Sequence, residues 1–256
     1  MSDHDSARIT LMGCQVDNLT MEETLGRVEG FIQSGLPHQH VVVNVDKLVK
    51  ASRDPELRQI INDCALVNVD GMPVVWASRL LGKPLKERVA GVDLFEALMQ
   101  RAGEKGWRVF LLSAREEVVS QVAETYGRKY PRLVLAGYRN GYWKGEEEEA
   151  LVAEQIRASR ADLLFVAISS PKKEQFLCKY QAHMRIPFAM GVGGTFDVAI
   201  GKVKRAPLWM QKSGLEWFYR FLQEPRRMFR RYFIEDMAFI GLFIKEALKG
   251  KPVKQG

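Results

Sequence analysis

Along the first 200 residues, short apolar runs alternate with longer amphipathic segments, and this pattern constrains the fold most. The runs include "HVVVNV" (40–45), "RVFLLS" (108–113) and "DLLFVAIS" (162–169). They are apolar on both faces, as strands are when helices cover a parallel sheet from both sides. The pattern therefore predicts an α/β fold, with a mostly parallel, Rossmann-like sheet and helices on both faces.

The remaining elements follow from periodicity and from capping residues. "ITLMGCQV" (9–16) reads as a single strand. Capping residues start three predicted helices: Thr20 with Glu23, Ser113 with Glu116, and Asp54. Further predicted helices cover about 72–81, 93–105, 146–159 and 172–182.

The composition changes near Gly201. From there to the end the chain has 13 basic and 5 acidic residues, against 25 and 26 before it. Ten of the 25 aromatic residues also fall in this last fifth. We therefore expect an α/β domain over residues 1–200 and a basic, aromatic, helical C-terminal appendage over residues 201–256.

The cysteines and the apolar runs bear on location. Three widely spaced cysteines without a C-x-x-C pair argue against a disulfide framework or a zinc site and favour a reduced, cytosolic chain. The N-terminus "MSDHDSARIT" lacks the features of a signal peptide. "MAFIGLFI" is only 8 residues long, so no membrane-spanning helix is expected.

Polar residues and glycines follow several predicted strands. They are Asn44 and Asp46, Asp70 with Gly71, the segment 169–174, and the segment 191–197. Ligands of open α/β sheets bind beyond the carboxyl ends of the strands. These residues are therefore expected to converge on one edge of the sheet.

Two of these strand-end features, and the nearby Arg88, each have two interpretations. The glycines of "GVGG", Gly191, Gly193 and Gly194, either let backbone N–H groups hold a phosphate or only form a tight turn. Asp70 is either a helix N-cap or a general base. Arg88 is either a surface charge or a partner for a diphosphate.

Other chemistries find little support in the sequence. The four histidines form no H-x-x-x-H pair, and there is no G-x-S-x-G motif, which disfavours hydrolases and zinc enzymes. The D-x-D at Asp3 and Asp5 does not follow a strand. No metal site is therefore expected.

Several blocks together are specific to one family. They are "VNVDKLV", "VDG", "ERVAGVDL", "GYRNGYW", "SSPKKEQF", "MGVGGTFDVAIGKVKRAP" and "GLEWFYRFLQEPRRMFRR". In order and approximate spacing, from about residue 8 to 235, the chain resembles the WecG/TagA/CpsF family of bacterial glycosyltransferases.

The resemblance implies transfer of N-acetylmannosamine, its uronic acid or glucose from a UDP donor to a polyprenyl-diphosphate-linked glycan in cell-surface polysaccharide synthesis. It further implies inversion at the anomeric carbon, no metal or other cofactor, Asp70 as the base and Arg88 on the donor diphosphate. The expected donor-binding residues are Asn44, Arg88, Gly191, Gly193, Gly194, Lys172 and Glu174.

The sequence departs from the family pattern at two positions. Val42 stands where many members have threonine, and Lys173 replaces an amide in the usual "PKQE". Lys173 indicates either an acidic donor sugar or simply an exposed lysine.

The arginines of the appendage are spaced for one helical side, and aromatic and aliphatic residues follow helical spacing on another. Such a helix can lie on an anionic membrane at the cytoplasmic face, with the arginines on lipid phosphates. The alternative is a final core helix with solvated arginines. Residues expected at the acceptor or membrane are Lys204, Arg205, Arg220, Arg227, Arg230 and Arg231.

Two other functions remain as rivals. A nucleic-acid-binding protein would use the basic, aromatic tail, and its binding would weaken steeply with salt. A dinucleotide-dependent oxidoreductase would use "GVGG" to bind NAD(P). We expect neither partner, and an oligomer is compatible with the sequence.

Overall fold

The computed structural model describes residues 8–113, 115–223, 225 and 236–249. The strands in these ranges are β1 (Arg8–Leu11), β2 (Cys14–Asp17), β3 (His38–Val43), β4 (Leu66–Val69), β5 (Arg108–Ser113), β6 (Val134–Asn140), β7 (Leu163–Ala167) and β8 (Phe188–Gly191). The helices are α1 (Met21–Ser34), α2 (Val45–Arg53), α3 (Pro55–Asp63), α4 (Met72–Leu80), α5 (Gly91–Lys105), α6 (Glu116–Lys129), α7 (Gly145–Ser159), α8 (Lys172–Met184), α9 (Thr195–Ala199), α10 (Leu208–Lys212), α11 (Glu216–Gln223) and α12 (Asp236–Lys249).

Six of the described strands form a parallel sheet in the order β4-β3-β8-β7-β5-β6. Side chains of β5 alternate between its faces. Val109 and Leu111 pack in a core with α1, α5 and α6, whereas Phe110 and Leu112 pack in another with α7 and α8. The predicted α/β fold with helices on both faces is confirmed.

The first apolar run folds as a hairpin, so the prediction of a single strand was wrong. β1 and β2 pair antiparallel around a turn at Met12 and Gly13, whose φ angles are 51° and 84°. The backbone N–H of Val67 in β4 donates to Asp17 Oδ2 at 2.7 Å, which ties the hairpin to the sheet. Side chains alternate with a period of two in both strands of a hairpin. The hydrophobic pattern of a hairpin with a tight turn therefore looks like that of a single strand.

Helix starts were predicted with mixed success. The capping box of Thr20 is confirmed, as is the Asp54 cap of α3, whereas α2 was missed. The capping box predicted at Ser113 is wrong, because α6 begins after Arg115 without a side-chain cap. Glu116 instead accepts a hydrogen bond from Asn140 Nδ2 at 3.0 Å, so its carboxylate is used at the end of β6.

The last described helix packs on the α/β body. On α12, Phe239 is 8% exposed and joins the core formed with α2, α3 and α4. Lys83 Nζ lies 3.1 Å from a carboxylate oxygen of Glu246 and holds the C-terminal half of the helix. Ile240 and Ile244 remain half exposed. One side of α12 therefore packs in the core, while the choice between a membrane helix and a core helix, and the domain boundary near residue 200, stay predictions. Among the described helices, none is long and apolar enough to cross a membrane.

Candidate functional site

Parallel pairing brings the polar strand ends to one edge of the sheet. Asn44 follows β3 and Asp70 follows β4, and Gly191 ends β8. Because β3 lies between β4 and β8, Asn44 is flanked by the other two. Neighbouring strands are about 4.8 Å apart, so Asp70 and the glycine turn are separated by about 10 Å along this edge.

A cavity of about 590 Å³ opens at the β4 side of this edge. Its polar lining includes Asn44, Asp46, Asp70, Arg88, Arg205 and Glu216. Its apolar lining comes mainly from α4 and α12, with Trp217 from α11. The volume is typical of a site for a small molecule.

Asp70 presents its carboxylate to this cavity. The side chain is 33% exposed, and Oδ1 lies 3.8 Å from Arg88 Nη1. Oδ2 accepts a long hydrogen bond, 3.4 Å, from the N–H of Gly91, the first residue of α5. The next helix, α4, has Gly71 with φ 107° as its N-cap and no side-chain cap. Asp70 therefore does not cap α4, so that interpretation was wrong.

Arg88 is held between two carboxylates. Its Nη1, the atom that faces Asp70, also donates to Glu216 Oε2 at 3.0 Å, and the side chain of Arg88 is only 16% exposed. The surface-charge interpretation is thus wrong. Glu216 also lies 3.6 Å from Arg205 Nε. Arg205 forms its main ion pair with Asp93, which lies in the first turn of α5.

Glu216 was missed as a site residue. The only sequence signal was its place in the "GLEW" block. Its two arginine partners lie 128 and about 11 residues before it in the chain, so no local spacing reveals the contact.

The glycine turn lies farther along the edge and does not line this cavity. Gly193 has φ 53°, and a Cβ at Gly191 would lie 2.9 Å from Lys173 Cε. The Lys173 side chain packs against the backbone at Gly191, so a larger residue at 191 would displace it. Lys173 itself is 7% exposed, so the exposed-lysine interpretation was wrong.

A buried charge cluster lies below the turn. Glu174 Oε1 is 2.6 Å from Lys47 Nζ and 3.5 Å from Lys173 Nζ. Burial opposes ionisation of Glu174, but the two ammonium groups outweigh it and lower its pKa. Burial, followed by repulsion from Lys47, lowers the pKa of Lys173 to about 8. Glu174 is 2% exposed, and its ion pair with Lys47 holds α8 against α2 beneath the edge of the sheet.

Lys173→Met is expected to stabilise the protein at pH 7, because burying the lysine as a cation is costly. The pKa of Lys173 falls from 10.5 to about 8, which corresponds to at most about 3 kcal/mol of unfolding free energy. Below pH 8 the native lysine is charged and the cost is complete. Above pH 8 it loses its proton, and the advantage of the variant should vanish towards pH 10.5. Urea unfolding from pH 7 to 10 measures this, with Lys172→Met as background; a difference that is constant with pH would contradict it.

The remaining predicted residues lie elsewhere. Lys172 Nζ is 3.7 Å from the ring centroid of Trp143, beside α7. Lys204 is exposed, and its carbonyl accepts a hydrogen bond from Gln223 at 3.0 Å. The side chain of Arg220, as well as Arg227, Arg230 and Arg231, lies outside the described residues. Over the described part of the chain, no group of three or more His, Cys, Asp or Glu side chains could hold a metal ion.

Two curated proteins are similar to most of the chain. One from Bacillus spizizenii (strain ATCC 23059 / NRRL B-14472 / W23) is 39% identical over 187 residues, covering 73% of this chain and 72% of its own length. One from Bacillus subtilis (strain 168) is 36% identical over 196 residues, covering 77% and 75%. Both are named N-acetylglucosaminyldiphosphoundecaprenol N-acetyl-beta-D-mannosaminyltransferase.

The profile of one family extends over nearly the whole chain. It matches residues 9–252, which include the parallel sheet, the cavity with Asp70 and Arg88, and α12. The chain is therefore a glycosyltransferase and belongs to the WecG/TagA/CpsF family of glycosyl transferases.

Proposed function

We propose that this enzyme transfers a sugar of the N-acetylmannosamine type from a UDP donor to a polyprenyl-diphosphate-linked acceptor, with inversion. The main support is the cavity in which a partly exposed carboxylate, Asp70, lies next to the cation of Arg88. The names of both relatives specify an N-acetylmannosaminyl group and an undecaprenyl-diphosphate-linked acceptor. Those names are the reason for choosing this sugar over its uronic acid or glucose.

In the proposed reaction Asp70 is the general base. Its carboxylate takes the proton of the acceptor hydroxyl while that oxygen attacks the anomeric carbon of the donor. The new C–O bond forms as the bond from the anomeric carbon to the diphosphate breaks, and UDP leaves from the opposite side. A single displacement of this kind inverts the anomeric configuration.

Cations and backbone N–H groups would stabilise the departing diphosphate. Arg88 suits this role because its planar guanidinium can donate two parallel hydrogen bonds to phosphate oxygens. In the proposed pose the donor extends past Asn44 towards the N–H groups at Gly191, Gly193 and Gly194. Glu174 contributes indirectly, since its ion pair with Lys47 positions the first turn of α2. Lys172 would need to leave Trp143 to reach the donor.

The acceptor is embedded in a membrane, so we propose that the enzyme works attached to the cytoplasmic face. Lys204, Arg205 and Arg220, with Arg227, Arg230 and Arg231, would contact lipid phosphates or the acceptor diphosphate. Each such residue contributes about 1 kcal/mol near an anionic leaflet. The summed contribution of these six residues is sufficient for reversible attachment of the enzyme to the membrane.

The test is UDP release by the purified protein with a panel of UDP-sugars and an acceptor carrying N-acetylglucosamine on a lipid diphosphate. We expect rapid release with UDP-N-acetylmannosamine, dependent on the acceptor, and a disaccharide product. Faster turnover of the uronic acid or glucose donor would change the assigned sugar. Release at the same rate without acceptor would show hydrolysis and refute the proposed transfer.

A further inference from the structure

The cavity has two chemically different walls. Charged and amide groups come from the strand ends and from Arg88, Arg205 and Glu216, whereas an apolar wall consists of Trp76 and Leu80 from α4 and Phe239, Ile240 and Phe243 from α12. Trp76, Leu80 and Ile240 are 43%, 76% and 50% exposed. Large exposed apolar groups that adjoin a charged cavity mark a site for an apolar ligand or a membrane.

The apolar wall is firmly supported from behind. Phe239 inserts into the core below it, and Lys83 pairs with Glu246 farther along α12. On the other side, Gly214 approaches so closely that an added Cβ would lie 2.8 Å from Met72 Cγ and 3.1 Å from Trp76. Phe239 and Trp76 are thus held in place before a ligand binds, so this part of the wall needs little ordering on binding.

We propose that the groove between α4 and α12 binds the isoprene units next to the diphosphate of the lipid-linked acceptor. This inference rests on the proposed function and adds a subsite for the lipid. An amphiphile with a charged diphosphate and an apolar chain matches a cavity that is lined by Arg205 as well as by Trp76 and Ile240, while Arg88 remains for the donor diphosphate. Binding the chain here would place the attached sugar near Asp70.

The size of the cavity limits how much of the lipid it holds. A volume of about 590 Å³ accepts a molecule of drug size, so only the first isoprene units fit. The rest of the chain would pass the exposed Leu80 and Ile240 into the bilayer. The groove then recognises the lipid itself, in addition to any attraction of the protein to the membrane surface.

Ile240 and Ile244 provide a matched pair of variants. They lie one turn apart on α12 and are 50% and 51% exposed, but only Ile240 lines the cavity. Turnover is measured without vesicles, using acceptors that carry either a short prenyl chain or a methyl group on the same sugar diphosphate. Ile240→Asn should raise KM for the prenyl acceptor about tenfold, with kcat and the KM of the methyl acceptor unchanged. Ile244→Asn should behave like the wild type.

Direct binding separates this inference from the proposed function. Farnesyl diphosphate should quench tryptophan fluorescence in the wild type and in Ile244→Asn, with about tenfold weaker binding to Ile240→Asn. That result supports the groove even if no UDP-sugar is turned over. Equal KM for prenyl and methyl acceptors, or equal farnesyl diphosphate binding by both variants, would overturn it. The inference would also be overturned if Ile240→Asn and Ile244→Asn lost the same activity and did so only with anionic vesicles. That result would assign this face to contact with the membrane.

Discussion

Asp70→Asn is expected to lower kcat by about 100- to 10,000-fold, the usual contribution of a general base. Asparagine keeps the shape and a hydrogen-bond acceptor for Gly91, but it cannot take up the acceptor proton. Binding of the UDP donor should change little, since no role on the diphosphate is proposed for Asp70. Single-turnover transfer and calorimetric titration with UDP measure the two effects. Near-normal turnover in this variant would dismiss Asp70 as the base.

Asp46→Asn is the matched control because Asp46 is another carboxylate that lines the same cavity. It accepts a hydrogen bond from Lys50 Nζ at 3.0 Å, one turn along α2, and so is already used locally. Its kcat should stay within about tenfold of the wild type. If Asp46→Asn instead shows the large loss and Asp70→Asn does not, the proton is taken by Asp46 in the first turn of α2.

Arg88→Gln is expected to lower kcat/KM for the UDP-sugar by about 100- to 1,000-fold, the effect of losing one strong donor to a developing anion. Arg88→Lys should recover only part of this, because a lysine ammonium cannot donate two parallel hydrogen bonds to phosphate oxygens. Steady-state kinetics with a saturating acceptor measure both variants. Full activity of Arg88→Gln would remove Arg88 from the diphosphate site.

Glu216→Gln tests whether Arg88 acts through its charge or only through its ion pair. Both substitutions remove the ion pair between Arg88 and Glu216, whose charged groups are 3.0 Å apart, but only Arg88→Gln removes the cation. We expect Glu216→Gln to stay within about tenfold of the wild type. Equal losses in the two variants would instead show that Arg88 serves to hold α11 in place.

The parallel sheet could be predicted because its signal is local. Each central strand carries apolar residues on both faces, as in Val109–Leu112, and such a run is stable only between two layers of helices. Errors occurred where two structures share one pattern. The turn at Met12 and Gly13 preserves the alternation of a strand, and α2 follows β3 so directly that Asn44 could be read as a strand end.

The candidate site could be predicted only in part. Asp70 and Arg88 were identified from short motifs and lie together in the cavity, whereas Glu216, their neighbour, was not. Lys173 shows the limit most clearly. Nothing in "PKKE" distinguishes a buried lysine from an exposed one, and its burial depends on Gly191 of β8 and on Glu174.

The sequence by itself determined the layered α/β architecture and the polar ends of its strands, because periodicity and strand-end chemistry are properties of neighbouring residues. Only the tertiary structure decided which side chains line the cavity at those strand ends. Trp76 and Phe239 are far apart in the chain, yet they form one wall of the cavity because Phe239 gains burial in the core against α2 and α4. Such long-range contacts depend on which surfaces fit together, and a local pattern does not record that.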